Sequence, residues 1–298
     1  MASAKDLKKK IRVISNTKKI TRTMELVATA KSKRAQDRVN ATTPYIGALR
    51  EIVSALEASG AARHRLMAAP EKETKTLLFV VSANRGLCGG YNTNVLALAQ
   101  KMIREEEAAG RKSEVYMAGR KGVAKFRFLR IPVAKTFINL DSWGGFADAA
   151  AVADELIARF VAGEATKVLA VYTHYVSAGV QKPAVFQLLP LAIPPAAGKS
   201  DKSEKDRGAP AAATDFIFEP DPGTILEALI PFSVRSAFYR LVLEASTSEQ
   251  IARRTAMKIA TDNAEDMIRF YTRFYNRTRQ AGITQQINEI VGGAGALD

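Results

Sequence analysis

Residues Lys5–Ser59 read KDLKKKIRVISNTKKITRTMELVATAKSKRAQDRVNATTPYIGALREIVSALEAS, with one proline, Pro44, and one glycine, Gly47. Most of the other residues are good helix formers, so the stretch predicts a single very long helix. At 1.5 Å per residue such a helix would be about 80 Å long. A domain of this size cannot cover that length, so the helix has to project, and it needs a partner. Steps of four and three residues from Leu7 trace the seam for that partner: Leu7, Ile11, Ile14, Lys18, Thr21, Glu25, Ala28, Ser32, Ala35, Val39, Thr42, Ile46, Leu49, Val53 and Leu56. The seam is apolar at both ends. In the middle, Ile20, Met24 and Val27 carry the apolar stripe one position back, as expected where the supercoil phase drifts.

A partner helix is legible at the other end of the chain. Pro231, after GTILEALI, suits the first turn of a helix, and no proline follows it. Gly282 is the only later glycine before the closing GGAGALD. An apolar stripe at helical spacing runs through Phe238, Leu241, Val242, Ala245, Ile251, Ala252, Ala256, Ile259, Met267, Phe270, Phe274, Ala281, Ile287 and Val291. Between the two helices the pattern changes to short apolar runs separated by helical stretches: TLLFVVS then Asn92 to Glu107, EVYMA then Lys121 to Leu129, and Phe146 to Val161 then KVLAVYTHY and VFQLLPL. Such alternation indicates a parallel or mixed sheet. The expected fold is therefore α/β with long terminal helices: helix over 1–60, a central Rossmann-like α/β domain over 75–222, and helix over 223–298. The polar, alanine- and proline-rich run 194–214 is expected to be a mobile surface loop.

The 298 residues carry a net charge of +14, and residues 1–40 hold twelve Lys or Arg against three acids, a local +9. A basic end of this kind points to an acidic or polyanionic partner. No apolar run approaches the roughly 20 residues a bilayer requires, and MASAKDLKKK has no signal-peptide character. One cysteine, Cys88, and two histidines, His64 and His174, cannot build a four-ligand zinc site or an internal disulfide. No catalytic constellation, metal site or cofactor site is expected. Asp262 and Asp266, at i and i+4, read as a wet helix face.

The turn SANRGLCGGYN, Ser82–Asn92, follows a strand and precedes a helix, where phosphates often bind. It lacks the Lys-Ser or Lys-Thr pair of a P-loop and does not fit GxGxxG. Gly89 and Gly90 read as residues of a tight turn needing positive φ, and Arg85 as an exposed contact for an acidic surface. A basic helix could also grip nucleic acid, but Met24-Glu25-Leu26-Val27-Ala28 interrupts the charge with a patch that a groove-binding helix would not want. A helix contacting protein partners along its length fits better.

Three stretches together, IRVISNTKKITRTMELVATAKSKRAQ, SANRGLCGGYN and SEQIARRTAMKIATDNAEDMIRFYTRFYNRTRQAGITQQINEIVGG, resemble the γ subunit of the F-type ATP synthase over nearly the whole chain. The resemblance implies a non-catalytic central stalk whose terminal helices form an antiparallel coiled coil inside a head of α and β subunits. It implies one copy per complex, an ε subunit and a membrane c-ring as further partners, no nucleic acid, and a peripheral position on the cytoplasmic face of a bacterial inner membrane. Carried over by residue, Met24 falls in the segment facing the acidic lever of the β subunit, with Lys18, Lys19 and Arg22 offered to its carboxylates. Arg85 and Cys88 match the turn approaching the same acidic region. Arg279, Gln280, Thr284 and Glu289 match a polar catch with the β subunit, and Phe218, Glu219, Pro220 and Asp221 the strip over ε and the c-ring. Asn84 departs from the aspartate common in the family. The 194–214 run lacks the cysteine pair that plastid relatives carry, so thiol control is not expected.

Overall fold

The computed structural model describes residues 4–58, 64–68, 70, 73–138, 145–191, 219 and 221–294. The expected loop 194–214, Phe218, Pro220 and the last four residues of the GGAGALD tail lie outside them. In chain order the elements are α1 (Ala4–Ala58), β1 (Lys75–Val81), α2 (Tyr91–Ala108), β2 (Lys112–Ala118), α3 (Arg120–Phe128), β3 (Lys135–Phe137), α4 (Phe146–Val161), β4 (Lys167–Tyr175), β5 (Gln181–Leu189) and α5 (Pro222–Ala294). They divide into two compact units. One is made of Met1–Lys31, Leu87–Gly89 and Gln250–Asp298, the other of Ser32–Gly86 and Gly90–Glu249.

The larger unit is a five-stranded sheet in the order β3-β2-β1-β4-β5. Strands β1 to β4 are mutually parallel where they pair, and β5 returns antiparallel to β4. β1 is central and covered on both faces, which is why TLLFVV is apolar without alternation. Leu78 and Val80 face α2 and α3 through Val95, Leu96, Ala99, Ile103 and Phe126. Leu77, Phe79 and Val81 point the other way, into a core shared with α4, the end of α1 and the start of α5. There Phe79 meets the Phe238 ring edge-on at 4.9 Å. The mixed, doubly covered sheet agrees with the expected Rossmann-like centre. The short strand β3 was not legible: three residues with exposed flanks leave no periodic signal.

α5 begins at Pro222, beside the bound of 223 drawn from the sequence and nine residues before Pro231, which had suited a first turn. Asp221 caps it: its Oδ2 accepts the Thr224 amide (2.9 Å) and its Oδ1 the Thr224 hydroxyl (2.6 Å). Pro222 therefore takes the first helical position, and Pro231 lies within the helix beside the fully buried Ile230. Two prolines offered the same local cue, and only the Asp before Pro222 supplies the cap.

In the smaller unit α1 and α5 lie side by side and antiparallel. Lys10 meets Tyr271, Lys18 meets Glu265 and Thr21 meets Thr261, so partner numbers fall along α5 as they rise along α1. Every position of the four-three seam of α1, from Leu7 to Leu56, is buried or half-buried. The supposed phase drift does not occur. Ile20 is 61 % exposed and Val27 51 % exposed, while Thr21 and Ala28 are buried. α5 behaves alike: Met257, Thr261 and Ala264 turn inward, and Ile259, Met267, Phe270, Phe274, Ile287 and Val291, read as its stripe, are exposed. Short side chains, Thr21, Ala28, Thr261 and Ala264, fill much of the buried face, beside the longer Leu7, Ile251 and Met257.

Candidate partner-binding site

The seam of the smaller unit is polar and specific. The Lys18 ammonium donates to Glu265 Oε2 at 3.0 Å, and Arg269 donates to Glu265 Oε1 at 2.9 Å. These two bonds, Lys18's first, hold the Glu265 carboxyl below its ordinary pKa. The Thr261 hydroxyl donates to Thr21 Oγ1 at 2.8 Å and is also 2.8 Å from the Met257 carbonyl. Thr21 in turn donates to the Lys18 carbonyl at 3.1 Å. Neither Glu265 nor Thr261 was singled out from the sequence, and Thr21 only as a seam position, because each matters through a residue far away along the chain.

Of the expected contacts on α1, Lys18 is thus already engaged within the molecule. Lys19 is exposed, and Met24 is half-buried. Arg22 is exposed but donates to Glu25 Oε2 at 2.9 Å, a local i,i+3 pair. The outward surface between these cations is apolar: Val13, Ile20 and Val27 stand at seven-residue intervals, all exposed, with Leu26 beside them. Exposed apolar side chains grouped in this way are the usual mark of an interaction surface.

The Ser82–Asn92 turn is pinned at its base. The Ala83 amide donates to Asn92 Oδ1 (2.9 Å), and the Ser82 amide to the Ala118 carbonyl (2.8 Å). Gly89 has φ +56°, as expected, but Gly90 does not; the other left-handed residue is Leu87, at φ +62°. Arg85 is exposed and suited to contact. Cys88 is 2 % exposed, so its side chain is buried and does not itself present a surface to a partner. This corrects its reading as a contact residue. The exposed neighbour is Leu87.

Beyond Thr278 every described α5 side chain is exposed, Arg279, Gln280, Thr284 and Glu289 among them. Thr284 bonds back to the Gln280 carbonyl (3.0 Å), and Gln285 reaches Glu289 (3.0 Å). Glu219 and Asp221 are exposed, Asp221 spending both carboxylate oxygens on Thr224, which holds its pKa low. In the larger unit, the buried Glu244 carboxylate receives Arg240 Nε (2.8 Å) and lies 2.6 Å from His174 Nδ1, tying α5 to β4. Asp262 and Asp266 are exposed. Among the described residues no group of three or more His, Cys, Asp or Glu could hold a metal ion. No described helix is long and apolar enough to cross a membrane.

A chain with long terminal helices that pair and a mixed α/β sheet is matched along nearly its whole length by known proteins. The ATP synthase family model covers residues 3–297. The ATP synthase gamma chain of Leptospira biflexa is 41 % identical over 298 residues, covering 100 % of both chains. The chain belongs to the ATP synthase gamma chain family. The gamma chain of Gemmatimonas aurantiaca is 44 % identical, covering 100 % of this chain and 99 % of that one. Among solved structures, the rotor of the Euglena gracilis mitochondrial ATP synthase superposes with a TM-score of 0.61 at 21 % identity, covering 94 % of this chain and 98 % of that one. Gamma chains are the non-catalytic central-stalk subunits of F-type ATP synthases, and the active sites belong to the β subunits.

Proposed function

We propose that this chain is the rotor shaft of an F-type ATP synthase, carrying torque between a membrane c-ring and the catalytic β subunits, as one copy per complex with α, β and ε subunits. It works peripherally, at the cytoplasmic face of a bacterial inner membrane. The observation that carries the reading is the antiparallel pairing of α1 with α5, joined across the chain's two ends by Lys18–Glu265 and Thr21–Thr261. Two helices bonded to each other resist twisting better than one, and the i to i−4 hydrogen bonding of each is interrupted inside the helix only by a proline, Pro44 in α1 and Pro231 in α5.

On this reading Lys19, Arg22, Met24 and Arg85 face the acidic lever of the β subunit. Contacts between exposed charges contribute only about 0–1 kcal/mol each. That weakness suits a rotor, because every contact has to break once per step. Arg279, Gln280, Thr284 and Glu289 engage the β subunit through the unpaired end of α5, whose exposed Ile283, Ile287, Ile290 and Val291 give it an apolar side. Glu219 and Asp221, with Phe218, face ε and the c-ring.

Co-expression with the α and β subunits tests the reading. An ATP-hydrolysing assembly is expected to form, and to retain this chain through nuclease treatment, only when the chain is present. Equal hydrolysis without it would remove the proposal.

A further inference from the structure

We propose that Arg120 and Lys121, at the start of α3, extend the partner surface of the Ser82–Asn92 turn, so that the carboxylate-bearing protein surface met by Arg85 meets these two cations as well. The proposal rests on the reading of that turn as a contact with the acidic lever of the β subunit. The two segments are one structural piece. The Arg120 amide donates to Asn84 Oδ1 at 3.1 Å, and the Lys121 amide to the Ala83 carbonyl at 3.1 Å. A methyl group at Gly86 would stand 3.5 Å from Lys121 Cε, so the lysine stem lies along the turn. Beneath them the Ser82 hydroxyl accepts the Gly122 amide at 2.9 Å and donates to the Ala118 carbonyl at 2.7 Å. A surface that docks on Arg85 therefore comes within a side-chain length of α3.

Charge placement points to an external anion. Arg120 and Lys121 are exposed and form no ion pair among the described residues. They occupy the first turn of α3, where the helix dipole makes a cation unfavourable. Lys125 and Arg127, in the last turn, complement the dipole and need no other explanation. No Asp or Glu occurs between Val115 and Ile138 to supply a counter-charge. Asn84 is neutral and accepts the Arg120 bond without adding negative charge, which leaves the patch uniformly positive. Two exposed cations on a helix start suit broad, screened pairing with a carboxylate surface, not the enclosed donor set that a phosphate requires.

Carbodiimide coupling in the assembled complex of this chain with its α and β subunits is the test, with a photoreactive residue at Arg85 as the second arm. Lys121 is expected to couple to a β-subunit carboxylate, and the coupled peptide to vanish in Lys121→Arg, which keeps the charge but cannot be coupled. R120E/K121E is expected to lower retention of the chain in a salt wash roughly three- to tenfold. If the Arg85 probe captures the β subunit while Lys121 couples elsewhere or not at all, the extension is overturned and the reading of the turn survives. If neither arm reaches the β subunit, both fall. Coupling of Lys121 without capture at Arg85 would overturn the shared surface, as would wild-type retention of the charge-reversed variant.

Discussion

Thr21 and Thr261 give a quantitative handle on the shaft. In Thr21→Val the Thr261 hydroxyl loses one acceptor but keeps the Met257 carbonyl at 2.8 Å. In Thr261→Val the Thr21 hydroxyl loses a donor but still bonds the Lys18 carbonyl at 3.1 Å. Neither change strands a buried polar atom, so each should cost only the net value of one neutral hydrogen bond, about 0.5–1.5 kcal/mol. The double replacement removes both polar groups at once and sets two branched apolar side chains of the same shape against each other. It should lie within about 0.5 kcal/mol of the parent, so the pair couples by about 1–3 kcal/mol. Urea unfolding of the full chain, followed by helix circular dichroism at constant m, measures the cycle. ATP hydrolysis by the assembled complex should stay within about twofold of the parent in all three variants, because the changes face inward. A single replacement costing more than about 3 kcal/mol would mean that the hydroxyls lack their second partners. Strict additivity would mean that the two helices do not touch there.

Two other outcomes follow from the larger unit. Gly119 has φ +95°, and an added Cβ would lie 2.1 Å from the Ser82 carbonyl oxygen; Gly119→Ala should destabilise by at least about 3 kcal/mol, and a urea-midpoint shift worth less than about 1 kcal/mol would contradict the geometry. Arg159, with Lys75, bonds the Glu114 carboxylate and lowers its pKa from 4.5 to about 2. The folded value is the lower one, so this contribution is complete above about pH 4.5 and fades as pH falls towards 2. It amounts to roughly 3 kcal/mol at neutral pH. Glu114→Gln should therefore cost much more at pH 7 than at pH 3 in urea melts, and equal losses at the two values would rule the linkage out.

Periodicity and punctuation made the architecture legible. A near absence of glycine and proline marked α1 and the body of α5, apolar runs marked β1, β2, β4 and β5, and four-three steps from Leu7 found the true seam of α1. Arg85 could be placed in an exposed turn because strand, turn and helix follow in order. Hydropathy alone could not say which stripe of the mid-coil faces inward. Ile20, Val27, Ile259 and Phe270 looked like core and are exposed, because pairing there favours small and polar residues that permit close approach. Lys18 looked free until its partner appeared 247 residues away. Cys88 looked available but is buried, and Pro231 looked like a helix start until Asp221 capped an earlier one. Local sequence determines which segments become helix or strand, since that depends on backbone preference and spacing within a few residues. Which faces are buried and which charges are already matched depend on contacts between distant segments, and only the assembled fold brings those together.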